Sequence, residues 1–459
     1  MINVTKHRTL APEQAPKDRI KNWNEVSGTF SEKTAVREAM RCVRCRTKPC
    51  KNKGCPAKLN IPSFMAKVAI GEYEEAYKII CKGSNLPSTC SRVCSKETQC
   101  ESSCTCGLEG SSVSIGNIER FVCDWHFAHA EKAAQTKPKK DAPKVCIIGA
   151  GPAGLSCAKD LAKKHFDVTV YDKFKAPGGV MAYGIPSFRL EQDIVDREIE
   201  DIKALGVKFV CSCEISGKGA LQALMEKEGY KAAFVAIGAD IPGKMGIPGE
   251  ELVGVCSSRE FLESARLRFG LGENIDKPYF RAKKIVVVGG GNVAMDCART
   301  AKRMGADVTI VYRRTISESP AVVSEIRETE EEGVNFRFLN TPVAIYGDKN
   351  GKVKGVECVK IELGEPDESG RRRPEPIEGS EFKIPCDCVV MAIGNAVSKE
   401  NVSDLGLQTW PNGTIVVKGF EAGEGIFAGG DAVTGPDTVV AAMKAGKDAA
   451  EEIIKYLAE

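Results

Sequence analysis

The sequence predicts an α/β protein in which a helical N-terminal domain precedes two Rossmann-like dinucleotide-binding domains, the second inserted in the first. Two observations lead to this prediction. Eleven of the 20 cysteines fall within the first 123 residues, where apolar residues recur at helical spacing. Farther along, two stretches that start about 140 residues apart each read as a buried strand, a glycine-rich loop, a helix and a second strand. That succession is the pattern of a parallel βαβ unit.

Composition narrows the class of protein without deciding its function. A chain of 459 residues is long enough for about three domains and needs no disulfides for its core. A net charge of +3 gives no support to nucleic-acid or membrane binding, and no apolar stretch is long enough to span a bilayer. Met1–Lys6 lacks the apolar run of a secretory signal. We expect a cytoplasmic protein with reduced cysteines, and the composition leaves the oligomeric state open.

Residues 1–140 are predicted to form the helical domain. Ser31 begins a helix that runs to the first cysteine, and Gly71 separates the next two short amphipathic helices. A further helix around Phe121 closes the domain. The polar, Lys/Pro/Ala-rich segment 131–144 is typical of a linker to the next domain.

The N-terminal cysteines form two spaced sets, which read Cys42-x2-Cys45-x4-Cys50-x4-Cys55-Pro56 and Cys90-x3-Cys94-x5-Cys100-x3-Cys104. In ferredoxin-type patterns, three closely spaced cysteines serve one iron–sulfur cluster and the Cys-Pro residue serves another. We therefore assign Cys42, Cys45 and Cys50 to a first 4Fe–4S cluster, and Cys55 with three cysteines of the later set to a second. Zinc is less favoured, because zinc sites normally pair two Cys-x2-Cys knuckles and the chain has one. Unliganded thiols are the other alternative.

The first glycine-rich loop is predicted to bind a dinucleotide. Gly149, Gly151 and Gly154 follow a strand and open a helix that also contains Pro152 and Ala153. Glycines let the backbone close on a pyrophosphate, and the helix N-terminus attracts that anion. Asp172 stands at the end of the next strand, where an acid accepts hydrogen bonds from ribose hydroxyls.

The second loop reads Gly289-Gly290-Gly291-Asn292-Val293-Ala294, with Ala294 in the third motif position. The strand that follows ends in Arg313 and Arg314 instead of an acid. Arginines attract the 2′-phosphate that a carboxylate would repel, so this loop is predicted to bind NADPH rather than NADH. The alternative is that both arginines lie on a solvated loop.

Two C-terminal features indicate which loop takes the flavin. Gly430 and Asp431 end a late strand, where they can reach a flavin pyrophosphate or ribityl chain. The final helix then begins at Thr438 and Val439. The positive end of its dipole would stabilise a negatively charged reduced flavin. These elements belong with the first loop, which we therefore assign to FAD.

Gly179 and Val180 follow soon after the first loop and are predicted to cover the flavin ring. The predicted domains are residues 141–270 plus 395–459 for FAD and residues 271–394 for NADPH. Within the latter, a glycine-, charge- and valine-rich stretch is typical of a small antiparallel sheet.

Four motifs carry a resemblance to a known family, and they cover nearly the whole chain. They are Leu86-Pro87-Ser88-Thr89-Cys90-Ser91-Arg92-Val93-Cys94, Ile115-Gly116-Asn117-Ile118-Glu119-Arg120-Phe121, Gly178-Gly179-Val180-Met181-Ala182-Tyr183-Gly184-Ile185-Pro186 and Gly289-Gly290-Gly291-Asn292-Val293-Ala294-Met295-Asp296. The chain resembles the small (β) subunit of NADPH-dependent glutamate synthase. It is also similar to the N-terminal half of dihydropyrimidine dehydrogenase and to the large subunit of NADH-dependent ferredoxin:NADP oxidoreductase. Asp296, at the end of the last motif, is included among the predicted cofactor-binding residues.

The resemblance implies a specific ligand set. It implies that Cys42, Cys45 and Cys50 share the first cluster with Glu119, and that the second cluster is held by Cys55, Cys94, Cys100 and Cys104, with Cys90 unliganded. The chain departs from the family in having four residues between Cys50 and Cys55 where three are usual, and Gly54 is positioned to absorb the extra residue as a bulge. Ser95 stands where the family usually has proline.

The resemblance and the residues imply one activity. NADPH reduces FAD, and electrons pass singly through two 4Fe–4S clusters to an acceptor, with no catalytic acid or base required. The leading hypothesis for the acceptor is a glutamate synthase large subunit, which makes glutamate from glutamine and 2-oxoglutarate. The alternative is a stand-alone or bifurcating NADPH:ferredoxin oxidoreductase, which the stretch Arg19–Trp23 slightly favours. A thioredoxin-reductase-type disulfide reductase is disfavoured, because the one Cys-x2-Cys pair lies outside the flavin domain. A zinc-bearing scaffold is disfavoured by two intact glycine loops.

Overall fold

The structure is a computed structural model that describes residues 6–130, 135–366 and 370–458. Residues 1–5, in the segment examined for a secretory signal, and residues 131–134 of the predicted linker lie outside the described residues. The N-terminal domain is helical, with α1 Pro16–Arg19, α2 Glu32–Ala39, α3 Ile61–Val68, α4 Tyr73–Gly83, α5 Pro87–Val93 and α6 Ile115–His129. The predicted order of short helices is confirmed.

Local sequence explains where these helices begin and which faces they bury. The Ser31 side chain accepts a hydrogen bond from the Thr34 amide and caps α2. A proline stands in the first turn of α3 and of α5, where its missing N–H costs nothing. The apolar faces of α3, α4 and α6 meet in one core, in which Phe64, Ile80 and Ile118 are fully buried.

The next part of the chain builds most of a parallel sheet. In chain order it contains β1 Lys144–Ile148, α7 Pro152–Lys163, β2 Asp167–Tyr171, α8 Val180–Tyr183, α9 Gln192–Ala204, β3 Lys208–Val210, α10 Ala220–Glu228 and β4 Ala232–Val235. The chain then leaves this sheet for about 185 residues before it returns. The central strands β1 and β4 are buried on both faces, as continuous apolar runs predict.

The intervening residues form a second Rossmann-like sheet and a smaller antiparallel one. They contain β5 Ile241–Pro242, β6 Val255–Ser257, α11 Ser258–Ala265, β7 Lys284–Val288, α12 Asn292–Arg303, β8 Asp307–Tyr312, α13 Val323–Glu331, β9 Asn335–Phe338, β10 Asn340–Gly347, β11 Val353–Pro366, β12 Arg372–Pro376, β13 Phe382–Pro385, β14 Cys388–Met391 and β15 Asn395–Ala396. β11 pairs antiparallel with β10, β12 and β13, which confirms the predicted small sheet.

The C-terminal residues complete the first sheet. They are α14 Lys399–Asp404, β16 Glu421–Gly423, β17 Ile426–Ala428, α15 Asp431–Thr434 and α16 Val439–Tyr456. The strand order is β16-β17-β4-β1-β2-β3 in the first sheet and β6-β14-β7-β8-β9 in the second. The second unit is therefore inserted in the first, as predicted, while the predicted domain boundaries stay predictions.

The N-terminal domain packs on the first sheet and its helices. Leu86 and Cys90, at the start of α5, belong to the same buried cluster as Leu155 of α7 and Met443 of α16. The Glu198 carboxylate of α9 accepts hydrogen bonds from the Ser88 and Thr89 amides and from the Thr89 hydroxyl. This buried acid satisfies the first turn of α5 and joins the two domains. Over the described ranges, the structure contains no helix with the length and apolar character that a membrane span requires.

Candidate functional site

The first glycine-rich loop has the geometry of a dinucleotide cradle. Gly149 has φ +105°, and a Cβ there would lie 2.3 Å from the Ala236 carbonyl oxygen. A Cβ on Gly154 would lie 1.9 Å from the Gly149 carbonyl oxygen, so both positions require glycine. Gly151 differs, because a Cβ there would meet nothing within 4 Å. The open space beside Gly151, at the N-terminus of α7, is where the backbone can approach a pyrophosphate.

The other predicted elements of the first site come together around this loop. Asp172 accepts hydrogen bonds from the backbone amides of Ala150, at 2.6 Å, and Phe174, at 2.8 Å. Burial raises the pKa of Asp172 despite these hydrogen bonds. Gly179 has φ +54° and packs so closely that a Cβ would lie 2.7 Å from the Gly151 Cα. Val180 is about half exposed beside it.

The C-terminal helix α16 closes the same site. A Cβ on Gly446 would lie 2.0 Å from the Ala153 carbonyl oxygen, so α16 crosses α7 at close range. Gly430 has φ +68° and also lies against Ala153. The Thr438 hydroxyl caps α16 by accepting a hydrogen bond from the Ala441 amide. Burial raises the pKa of the neighbouring Asp431 to about 6.

The second loop repeats this design in the inserted unit. Gly289 has φ +141°, and a Cβ there would lie 2.2 Å from the Ala392 carbonyl oxygen. Gly291 precedes α12. A Cβ added to Gly291 would meet only the Pro320 Cγ, at 3.7 Å, so there is again open space at a helix N-terminus. The Asn292 side chain accepts from the Val322 amide and holds the loop. Ala294 is buried and Val293 is about half exposed.

Three predicted NADPH residues have different surroundings. Arg313 is exposed at the end of β8 and is available to a phosphate. Arg314 is buried, and its Nε donates to the Arg372 carbonyl oxygen at 2.8 Å, so the alternative that both arginines are solvated is wrong. Asp296 is also buried, and both of its carboxylate oxygens pair with Arg189 at 2.8 and 2.9 Å. Its carboxylate is thus held in an ion pair between the two Rossmann-like units.

The first cysteine group contains Cys42, Cys45, Cys50 and Cys104. These side chains line one cavity, with an empty volume of about 340 Å³ that includes open solvent. Cys104 is an electrostatic neighbour of both Cys42 and Cys50. Its place in this group contradicts the ligand set predicted for the first cluster, which had Glu119 there.

The second group contains Cys55, Cys94, Cys100 and Glu119. All four line a separate cavity of about 410 Å³, and Glu119 is an electrostatic neighbour of all three thiols. The predicted set had Cys104 here, whereas in the structure Glu119 lines this cavity and Cys104 lines the first one. The physical reason is that the chain turns between Cys100 and Cys104 and carries Cys104 to the first cavity, while α6 turns Glu119 inward onto the second.

Cys90 lines the second cavity but is not one of its four candidate ligands. It lies one helical turn before Cys94 on α5, and a hydrogen bond between the two thiols raises the pKa of Cys94. The extra residue between Cys50 and Cys55 is absorbed by a π-helical turn, Cys50–Gly54, closed by a 2.9 Å hydrogen bond from the Cys55 amide to the Cys50 carbonyl.

The donor sets fit iron–sulfur clusters. Burial raises the pKa of Cys50 to about 12 and that of Cys55 to about 11, so thiolates there need the positive charge of bound iron. Each cavity is lined by at least the four donor side chains that a 4Fe–4S cluster takes, and a further thiol, Cys106 in the first and Cys90 in the second, also lines it. No three His, Cys, Asp or Glu side chains in residues 6–130, 135–366 and 370–458 converge on a single metal ion.

Two residues that line the cavity of the second group were not identified from the sequence. Lys96 lines the cavity of the second group, and burial raises the pKa of Glu119 to about 7 although the positive charge of Lys96 acts to lower that pKa. Val440, in the first turn of α16, lines the same cavity. Lys96 follows Cys94 by only two residues, so the sequence could have indicated that it lies near the second group. The contact of Val440 with this cavity depends on how the domains pack.

The fold and the two loops define the class of protein. Residues 143–446 match the family described as pyridine nucleotide-disulphide oxidoreductase. Residues 19–131 match the family described as dihydropyrimidine dehydrogenase domain II, 4Fe-4S cluster. FprA of Mycobacterium tuberculosis, solved in complex with NADPH, has the same fold, with a TM-score of 0.59 and 21% identity over 69% of this chain and 85% of that one.

Full-length relatives give a closer placement. The chain is 36% identical to the glutamate synthase [NADPH] small chain of Escherichia coli, over 98% of this chain and 97% of the relative. It is 38% identical to the NADPH-Fe(3+) oxidoreductase subunit beta of Geobacter sulfurreducens, over 90% of this chain and 64% of that protein. The chain belongs to the glutamate synthase small-chain family. It is an NADPH-dependent flavin oxidoreductase whose cofactors are FAD and 4Fe–4S clusters.

Proposed function

We propose that this chain is the NADPH-oxidising subunit that delivers electrons through two 4Fe–4S clusters to a glutamate synthase large subunit, which forms glutamate from glutamine and 2-oxoglutarate. The observation that carries the electron path is the order of the sites. The cavity of the second group is lined by Val440 of α16 on its flavin side. Ile61 lines both cavities and so lies between the two groups. The first group is the outer one.

Each set of residues has its own task in this proposal. When bound, FAD takes a hydride from NADPH and releases single electrons to iron–sulfur clusters. Gly151 and the N-terminus of α7 hold the flavin pyrophosphate, and the N-terminus of α16 supplies a positive dipole beside the ring. Cys55, Cys94, Cys100 and Glu119 hold the inner cluster. Cys42, Cys45, Cys50 and Cys104 hold the outer one.

Arg313 is proposed to bind the 2′-phosphate of NADPH, and Arg314 to support the strand end from beneath. Because a hydrogen bond to a charged group contributes about 1.5–3 kcal/mol, Arg313→Ser should raise the KM for NADPH at least about tenfold. The KM for NADH should stay within about twofold, because NADH lacks that phosphate. Equal effects on both nucleotides would contradict the assignment.

One experiment tests the whole path. The protein is purified without oxygen, analysed for iron, sulfide and FAD, and mixed with NADPH in a stopped-flow instrument with and without a purified large subunit. We expect the flavin absorbance to bleach first and the cluster absorbance next, and glutamate to form only with the large subunit present. Flavin that bleaches while no cluster accepts an electron would contradict the proposal.

A cytoplasmic location is also part of the proposed function, because thiolate ligands persist in a reducing compartment.

A second candidate is transfer to another acceptor, because a relative that shares 38% identity is named as an NADPH-Fe(3+) oxidoreductase subunit. The stretch Arg19–Trp23 does not separate the two candidates. Arg19 is buried, with its Nε 2.9 Å from Glu332 on the inserted unit, and Trp23 stacks on Phe269 at 4.9 Å. These contacts hold the N-terminal segment against the rest of the molecule and reach no acceptor. Formation of glutamate by the mixed subunits distinguishes the candidates.

A further inference from the structure

The surface around the first cysteine group is strongly basic. From residue 39 to residue 71 the chain has eight Lys or Arg residues and no Asp or Glu, although the net charge of the whole protein is only +3. Arg44, Arg46, Lys53 and Lys58 in this stretch are exposed, and Lys48 and Lys51 are half-buried. The positive charge is therefore concentrated around the loop that carries Cys42, Cys45 and Cys50.

Most of these cations form no ion pair with the acids that the structure describes. Within the part of the chain that the structure describes, no ion pair includes Arg44, Arg46, Lys48, Lys51 or Lys53. By contrast, the buried Arg41 at the start of the loop pairs with Glu38 at 2.6 Å. Exposed cations that have no internal partner keep their full field for a molecule that approaches from outside.

Two exposed apolar side chains lie on the cysteine loop and on the turn after Cys104. Val43, between the first two cysteines of the cluster loop, is 64% exposed and also lines the first cavity. Leu108 is 83% exposed in the short 3₁₀ turn that follows Cys104. The same turn contains Thr105, whose Oγ1 lies 3.1 Å from the Cys45 Sγ. Protein interfaces combine an apolar centre with a polar rim in this way.

We propose that this surface, which comprises Val43, Leu108, Arg44, Arg46 and Lys53, binds a protein that presents an acidic face around its own one-electron redox centre. The inference rests on the proposed function, because the first cysteine group is the outer end of the proposed electron path. Charge complementarity selects the partner: unpaired cations ring the point where electrons leave, so carboxylates on the partner orient its redox centre toward Cys42 and Cys45. Contact of the partner with Val43 and Leu108 then brings its redox centre close to the first cysteine group.

Binding to two carriers of opposite charge tests the inference. The probes are an acidic 2Fe–2S ferredoxin and a basic cytochrome c, titrated against the intact holoprotein between about 0.01 M and about 0.1 M salt, where the screening length falls from about 30 Å to about 10 Å. We expect ferredoxin to bind at least about tenfold more tightly at the lower salt concentration. Cytochrome c should bind weakly at both salt concentrations. Equal affinity for the two carriers would overturn the inference.

A triple variant and a matched control locate the effect. The variant Arg44→Glu/Arg46→Glu/Lys53→Glu should no longer bind ferredoxin more tightly at the lower salt concentration. It should instead bind cytochrome c more tightly at that concentration. Lys218→Glu/Lys244→Glu/Lys349→Glu changes three exposed cations elsewhere by the same net charge and should behave as the parent protein. If both variants weaken ferredoxin equally, net charge and not this surface is responsible, and the inference is wrong. The Gln versions of the first set are measured as well, in case charge reversal disturbs the loop.

The same preparations separate this inference from the proposed function. Bleaching of flavin and cluster absorbance by NADPH is recorded without any protein acceptor. If binding follows the prediction while NADPH bleaches no cluster, the electron path fails and the docking surface stands. If bleaching is normal and the triple variant still binds ferredoxin like the parent, the docking surface fails alone.

Discussion

The two cysteine groups are built from the same stretch of chain but face different surroundings. The first lies near the surface, beside the exposed side chain of Val43 and a run of cations that form no ion pair among the described residues. The second lies inside, against Val440 of α16, with a buried carboxylate in place of a fourth thiol and with Lys96 as the cation in its wall. The two groups therefore differ in burial and in charged neighbours, and on this difference rests the proposal that the second group receives electrons from the flavin and the first passes them on.

Removal of one ligand from each group is expected to have the largest effect. Cys100→Ala should cost about half of the iron and all NADPH-driven reduction beyond the flavin, because the inner cluster is lost. Cys104→Ala should also cost about half of the iron, but the remaining inner cluster should still be reduced by NADPH. Iron analysis with low-temperature EPR checks both. If the two variants had the same phenotype, the proposed inner-to-outer order would be wrong.

Gly54→Ala should disturb both groups through one steric clash. The added Cβ would lie 2.6 Å from the Gln99 carbonyl oxygen and 2.8 Å from the Cys100 Cα, at the π-helical turn that separates the groups. We expect the free energy of unfolding of the N-terminal domain to fall by about 1–3 kcal/mol. Gly71→Ala is the control, because Gly71 also has a left-handed backbone, with φ +78°, but open space around it. Its free energy of unfolding should fall only by the backbone cost of about 1–2 kcal/mol, and the variant should keep its clusters. Intact clusters in Gly54→Ala would contradict this account.

Glu119→Gln should alter one cluster and spare the other. The carboxylate is a neighbour of Cys55, Cys94 and Cys100 alone among the candidate ligands. Replacement of an anionic ligand by a neutral amide stabilises the reduced cluster, so the midpoint potential of the inner cluster should rise. The EPR signal of the outer cluster should stay unchanged. A change confined to the outer cluster would restore the ligand set predicted from the resemblance.

Thr105→Ala should produce the smallest effect, on the outer cluster. The Thr105 hydroxyl lies 3.1 Å from the Cys45 Sγ and can donate to a thiolate there. Loss of one hydrogen bond of about 1 kcal/mol should lower the potential of a one-electron couple by about 40 mV. The inner cluster should keep its potential. Redox titration followed by EPR measures both, and a shift in the inner cluster would contradict the separation of the groups.

Features that depend on neighbours in sequence were predicted well. The glycine spacing of the two loops is legible in the sequence, and a contact within the first loop itself requires Gly154. The close contacts of Gly149 and Gly289 come instead from Ala236 and Ala392, which follow later strands of their sheets. The short helices of the N-terminal domain follow from apolar periodicity and local caps. The antiparallel sheet and the insertion of one Rossmann-like unit in the other follow from strand patterns that repeat in order along the chain.

Features that depend on packing were predicted poorly. Cys104 and Glu119 exchange places because the turn after Cys100 and the rotation of α6 are set by the helical core, not by spacing. Arg314 and Asp296 sit in plausible motif positions, yet the first is buried under the Arg372 backbone and the second is paired with Arg189 from another part of the chain. No local pattern records a partner that lies 107 residues away.

The class of fold, the two glycine-rich loops and the candidate iron ligands could be read from the sequence, because each is a short-range demand on backbone shape or donor type. The packed molecule was needed to show how those side chains divide between two cavities, which of Arg313 and Arg314 is exposed, and where cations without acidic partners among the described residues collect. These outcomes depend on burial and on contacts between distant segments, and burial is a property of the packed molecule rather than of any stretch of its chain.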